Sequence, residues 1–140
     1  VQGQVDKSSI FVATAAVADW RPDTQADQKI KKDGSGQTPA LKFVENPDIL
    51  ATVAQSARAQ SGALFCVGFA AESHDLLAHA TAKRIRKGVP LLVGNIGPVT
   101  FGQDDNALLL VDEAGARELP HASKQALAEQ LIADIARRLK

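Results

Sequence analysis

Residues 64–94 read LFCVGFAAESHDLLAHATAKRIRKGVPLLVG, and this stretch decides the fold class. It opens on an apolar run from Leu64, closes on a second, LLVG, from Leu91, and carries a segment with helical spacing between them. Short apolar runs bounded by polar or turn residues read as strands buried on both faces. Ser73 is the expected N-cap of the intervening helix, Leu76, Leu77 and Ala80 its apolar side, and Gly88 followed by Pro90 its stop signal. A strand, a helix and a strand in that order imply a right-handed crossover joining parallel strands.

Outward from this unit the alternation continues. IFVATAAV from Ile10 and ALLLVD from Ala107 read as two further buried strands. Asn46-Pro47-Asp48 reads as a cap with proline at the first helical position, and Ile49, Leu50, Val53 and Ala57 keep helical spacing up to Gly62. A last helix is expected from about Ser123 to the end, with Leu127, Leu131, Ile135 and Leu139 at four-residue steps and Arg137, Arg138 and Lys140 at its negative end. The pattern predicts an α/β domain with a mainly parallel sheet covered on both faces, and ligands bound beyond the carboxyl ends of the strands. DGSGQTP, Asp33 to Pro39, is the one flexible stretch and is expected to form a mobile loop or hairpin tip.

Composition narrows the function classes. The 140 residues suit one domain, and 16 basic against 16 acidic side chains give no basic excess of the kind that nucleic-acid and membrane binders carry. No apolar run approaches the length of a membrane span. Cys66 is the only cysteine, so no internal disulfide forms and the cytoplasm is the expected compartment. The chain holds no methionine and is expected to be a piece whose first element begins upstream of Val1.

Four groups of residues have the chemistry of a site. After the first strand come Asp19, Trp20 and Arg21, placing a carboxylate, an indole and a guanidinium at a strand's end; taken alone they read as a helix or turn cap with a surface arginine, and they also suit a ribose or hydrated-magnesium contact. Lys29-Ile30-Lys31-Lys32 puts three ammonium groups beside a glycine-containing loop, either to meet a polyphosphate or to protect a solvated edge strand in which Lys29 and Lys31 share a face. Lys83 and Lys87, four apart on the helix, suit phosphate oxygens or the helix's own C-terminus. Val67-Gly68-Phe69-Ala70-Ala71-Glu72-Ser73 reads as a strand end turning into a helix, where glycine beside small residues permits close approach, although neither GxGxxG nor GxxxxGK[ST] occurs. His74 and His79, five apart on the expected helix, diverge by about 140° and are assigned no role. His121 falls in an expected loop, and Cys66 in a strand is expected to be a core residue.

Taken in order, AAVADWRP, KIKK, NPDIL, VGFAAES, AxxKRIRK, and GN followed by DNALLLV resemble phosphopantothenoylcysteine synthetase, over nearly the whole chain. The resemblance implies a Rossmann-like α/β domain, missing its N-terminal glycine-rich part, that works as a homodimer with a shared active site. It implies CTP-dependent ligation of phosphopantothenate and cysteine through an acyl cytidylate, with Mg2+ accompanying CTP. FMN would belong only to an upstream decarboxylase domain. By motif, Ala13, Thr14, Ala15, Asp19, Lys29, Pro47, Asp48, Ile49, Leu50, Phe69, Lys83 and Lys87 would surround the nucleotide, with Lys29 as the catalytic group.

Overall fold

A computed structural model of the chain describes residues 1–31, 34, 36, 40–96, 102 and 104–139. Lys32, Lys140 and most of the Asp33 to Pro39 stretch lie outside the described residues. The chain divides into two compact units, one formed by Val1–Thr14 with Ile49–Lys140 and the other by Ala15–Asp48.

In the larger unit a short helix, α1 (Gln2–Val5), precedes strand β1 (Ile10–Ala13). Next in this unit come α2 (Ile49–Ala54), α3 (Ala57–Gln60), β4 (Phe65–Glu72), α4 (Leu76–Lys87), β5 (Leu91–Ile96), β6 (Asp105–Asp112), β7 (Gly115–Ser123) and α5 (Lys124–Arg138). The five strands form one sheet in the order β1-β4-β5-β6-β7. β1, β4 and β5 are parallel, and β6 and β7 continue the sheet antiparallel. Eight residues between Ile96 and Asp105 are too few for the crossover of a dozen or so that a parallel neighbour needs, so ALLLVD returns antiparallel.

Side chains alternate across this sheet, as strand geometry requires. Cys66, Ala70, Leu92 and Val111 pack with Val53 and Ala54 of α2 and Ala80 of α4. Their chain neighbours Val67, Leu91, Val93 and Leu110 pack with Leu127, Leu131 and Ile135 of α5. Helices therefore cover both faces, and each fully buried leucine or valine contributes about 1.5–3 kcal/mol. Gly68 admits Leu50 and Leu92 against the strand: a Cβ there would lie 2.7 and 2.8 Å from their methyl carbons.

Several expectations are corrected. Ser73 does not cap α4; Asp75 does so in the left-handed region, φ 45°, without a side-chain bond, while Ser73 Oγ pairs with His74 Nδ1 at 2.8 Å. Gly88 ends α4 as expected, left-handed at φ 67°, with Val89 and Gly88 amides returning to the Arg84 and Ile85 carbonyls. The helix expected from Pro47 to Gly62 is two short pieces, because Ser56 turns extended and caps α3 by accepting from the Ala59 amide. His121 lies in strand β7, not in a loop, 3.6 Å from Asp105.

One ion network ties the sheet to α5. Asp134, 5% exposed, accepts from Arg117 at 2.6 Å, Arg137 at 3.1 Å and Arg138 at 2.6 Å, and Arg138 reaches on to Asp112 at 2.7 Å. Burial opposes ionisation of Asp134, yet the bonds from Arg138 and Arg137 outweigh it and hold its pKa below the ordinary carboxylate value. Asp112 is lowered chiefly by its bond from Arg138. Among the described residues no helix is long and apolar enough to cross a membrane.

The smaller unit is an antiparallel hairpin of β2 (Trp20–Pro22) and β3 (Phe43–Glu45), in register Trp20 with Glu45 and Pro22 with Phe43.

Candidate functional site

On the sheet, Ala13 pairs with Gly68, which pairs in turn with Leu92. Beyond that rung β1 has ended, while β4 runs on through Phe69, Ala70, Ala71 and Glu72 with β5 as its one described partner. The carboxyl end of β1 therefore leaves a step in the sheet edge, and an α/β sheet binds ligands beyond such ends. Ala13, the last residue of β1, and Thr14 after it stand at this step, with Phe69 on the neighbouring strand. Leu50, from the first turn of α2, closes over Gly68 on the face that α2 and α4 cover, whereas the Phe69 side chain joins the cluster on the α5 face with Val12 and Phe65. α2 has six residues, so its macrodipole is a minor source of positive potential.

Lys83 and Lys87 sit on α4 and are half-buried. At about 100° per residue, Lys87 lies about 20° and Lys83 about 60° to one side of the line through buried Ala80, with Arg84 about 40° to the other. The two lysines share a flank, as their spacing predicts, and Lys87 shares the last turn with Arg84 and Arg86, where positive charge complements the helix end.

In the hairpin unit a different set converges. Arg21 Nη1 donates to the Glu45 carbonyl at 3.1 Å and to Asn46 Oδ1 at 2.9 Å. Asn46 Nδ2 donates to the Ala18 carbonyl at 2.7 Å, and its backbone N–H to the Asp19 carbonyl at 2.8 Å. This clamp sets the backbone of Ala18 and Asp19 against Asn46 and thus beside Pro47 and Asp48, joining two blocks more than twenty residues apart in sequence. Ala15, Asp19, Pro47 and Asp48 are exposed. Lys29 and Lys31 are exposed too, but in irregular backbone; the extended strand that would have aligned them does not form.

The sequence profile of the family described as DNA/pantothenate metabolism flavoprotein C-terminal domain matches residues 1–139. The chain belongs to that family. The coenzyme A biosynthesis bifunctional protein CoaBC of Vibrio cholerae is 41% identical over 135 residues, covering 94% of this chain and 33% of that protein. The protein of the same name from Escherichia coli is 39% identical over 142 residues, covering 99% of this chain and 34% of its own length. The chain thus spans about a third of the length of these curated relatives. Among solved structures, the C-terminal domain of a CoaBC superposes with a TM-score of 0.72 at 23% identity, over 99% of this chain and 58% of that one. A Cab2 variant in complex with phosphopantothenate-cysteine gives 0.69 at 21% identity, over 93% and 44%. At those identities the likeness is one of fold.

One arrangement in the hairpin has no counterpart in the sequence pattern. The sequence offers Arg21 as a strand-end guanidinium or a surface arginine, and Asn46 as a helix cap, because Asn-Pro is an ordinary helix opening; the hairpin pairing joins them as one clamp. The histidines are also corrected. α4 begins at Leu76, so His74 precedes it, and the His74 and His79 rings meet edge to face at 5.0 Å rather than diverging. Cys66 is fully buried, and burial raises its thiol pKa, as expected of a core residue.

Proposed function

We propose that this chain is the C-terminal portion of a CTP-dependent phosphopantothenate–cysteine ligase domain acting in coenzyme A synthesis in the cytoplasm. The observation that carries the reading is the family match over residues 1–139 together with relatives about 40% identical that are named for coenzyme A biosynthesis. In the first step a phosphopantothenate carboxylate oxygen attacks the α-phosphorus of CTP and pyrophosphate leaves, giving an acyl cytidylate. In the second the amine of cysteine attacks the acyl carbon, CMP leaves, the amine loses a proton, and an amide remains.

Both steps redistribute phosphate charge, which fixed cations stabilise. Lys29, on a long stem and in irregular backbone, would neutralise the phosphates during activation. Lys83 and Lys87 would hold the polyphosphate from α4. Asp19, its backbone set by the Asn46 clamp, would take a ribose hydroxyl or a water on magnesium, and Ala13, Thr14 and Ala15 would let the base approach the backbone. Pro47, Asp48, Ile49 and Leu50 would border the phosphates and Phe69 the nucleotide. No group of three or more carboxylate, histidine or cysteine side chains converges among the described residues. Mg2+ would accompany CTP, with Asp19 able to hold the nucleotide or a water on the ion. FMN would belong to an upstream decarboxylase domain.

The test is CMP release from phosphopantothenate, CTP and cysteine by the intact parent protein. Lys29→Gln is expected to lower that rate by about 10²-fold or more, the scale of losing one transition-state electrostatic contact; no CMP from the parent, or an unchanged rate in the variant, sinks the reading. A second reading, a noncatalytic nucleotide-binding or dimerisation module, is favoured by the hairpin, where Trp20 is 60% and Phe43 56% exposed on one face. A parent that forms dimers and binds CTP yet makes no CMP would select it.

A further inference from the structure

At the amino ends of β4 and β5 lies a cleft that the ligase reading leaves unused. It measures about 460 Å³ and is lined by Ala59, Leu64, Phe65, Arg84, Ile85 and Val89, with Gly62, Gly88 and Pro90 completing it. That volume falls within the range of about 300–1,000 Å³ typical of small-molecule sites. Its polarity is one-sided. The lining contains no carboxylate and one cation, Arg84, set among Leu64, Phe65, Val89, Pro90 and an Ile85 that is 66% exposed.

Arg84 is poorly satisfied where it stands. Nη1 donates to the Val89 carbonyl at a long 3.4 Å, and Nε is buried with no hydrogen-bond partner. Arg58, one residue before Ala59 of the lining, repeats the pattern: Nη2 donates to the Ser8 and Ala63 carbonyls at 2.9 and 3.3 Å while its Nε is buried and unpartnered. Native structures rarely leave buried donors unmet, and a water or ion beside the group is one recognised reason when they do. A guanidinium offers a planar fork of donors that matches a carboxylate.

We propose that this cleft binds a small organic monoanion, its carboxylate on Arg84 and its apolar body against Phe65, Ile85 and Pro90. The site is separate from the step at β1 and Phe69, at the other end of β4, and its occupancy needs no nucleotide, so its failure would leave the ligase reading untouched.

The experiment is an amide-shift titration of the isotope-labelled full chain with phenylbutyrate. Phenylbutanol serves as the uncharged counterpart and inorganic phosphate as the charge without the body. Phenylbutyrate is expected to shift the Leu64, Phe65, Gly88 and Val89 amides saturably, with both controls binding at least about tenfold more weakly. Arg84→Gln is expected to weaken phenylbutyrate by a similar factor. Because Arg84 also holds the Val89 carbonyl, Ala59→Leu serves as a second variant that fills the cleft from α3 and keeps the guanidinium; it should reduce binding as strongly. Equal binding of the alcohol or of phosphate, shifts centred elsewhere, no saturable response, or full affinity in Ala59→Leu would each overturn the proposal and leave the arginines as caps for loop carbonyls.

Discussion

In the hairpin unit, Val17, Trp20, Ile30, Leu41 and Phe43 all stand exposed, while in the sheet unit Leu64, Leu91, Leu92, Leu110 and Leu127 are almost wholly buried. Apolar burial organises the sheet, with a cluster on each face sealed by helices. The hairpin has three-residue strands, and the contacts that define it are hydrogen bonds, centred on Arg21 and Asn46. Two-stranded hairpins are marginal alone in water. Segments with few buried apolar contacts open at the lowest free energies, so the hairpin is expected to open locally more readily than the sheet.

The contrast can be broken from either side. Leu92→Ala, which empties a fully buried position next to Gly68, is expected to cost about 2–5 kcal/mol in urea unfolding, the usual range for a core leucine. A loss below about 1 kcal/mol would mean that burial is not what holds the sheet.

Asp134→Asn is expected to cost less, about 1–3 kcal/mol near neutral pH, by unpairing arginines from a buried acceptor. Its pH dependence has a fixed sign. Asp134 and Asp112 have folded-state pKa values below the ordinary one, so their contribution is complete above the unfolded value of about 3.9 and is lost as pH falls through the lower folded value. Urea midpoints measured from pH 6 down to about 2.5 should fall steeply in the parent chain and less steeply in Asp134→Asn; parallel curves would show that the network does not couple to the fold.

The smallest effect on global stability is expected at Asn46→Ala, within about 0.5 kcal/mol on sheet unfolding, the range of substitutions that leave the core untouched. The hairpin amides should nevertheless exchange with solvent markedly faster. If Asn46→Ala lowered the global midpoint as far as Leu92→Ala, the two units would be unfolding as one.

What was legible in the sequence follows the same division. β1, β4, α4, β5, β6 and α5 were all readable, because deep burial writes itself as apolar runs and four-residue steps. β7 was not: GARELPHAS buries Leu119 alone, among exposed residues such as Arg117, Glu118 and His121 at a sheet edge, leaving no apolar run to see. β2 and β3 were invisible for a related reason, since three-residue strands paired across a twenty-residue connection carry no local period. The break between α2 and α3 hid because Val53 and Ala57 keep helical spacing across Ser56. Of the candidate site, the placing of Ala13 at a strand end and of Lys83 and Lys87 on one flank of a helix followed from pattern. The Arg21–Asn46 clamp depended on a pairing that only three dimensions supply, and the orphaned guanidinium nitrogens of Arg58 and Arg84 leave no trace in residue order.

Cys66, fully buried mid-strand with its pKa raised, gives the molecule an internal clock. An alkylating reagent attacks thiolate, so the closed sheet shields the only sulfur the chain possesses, and each labelling event records one opening of β4. Because the hairpin contains no cysteine, that record is of the sheet alone, and loosening around Asp19 and Lys29 can be told from loosening of the core without introducing a probe.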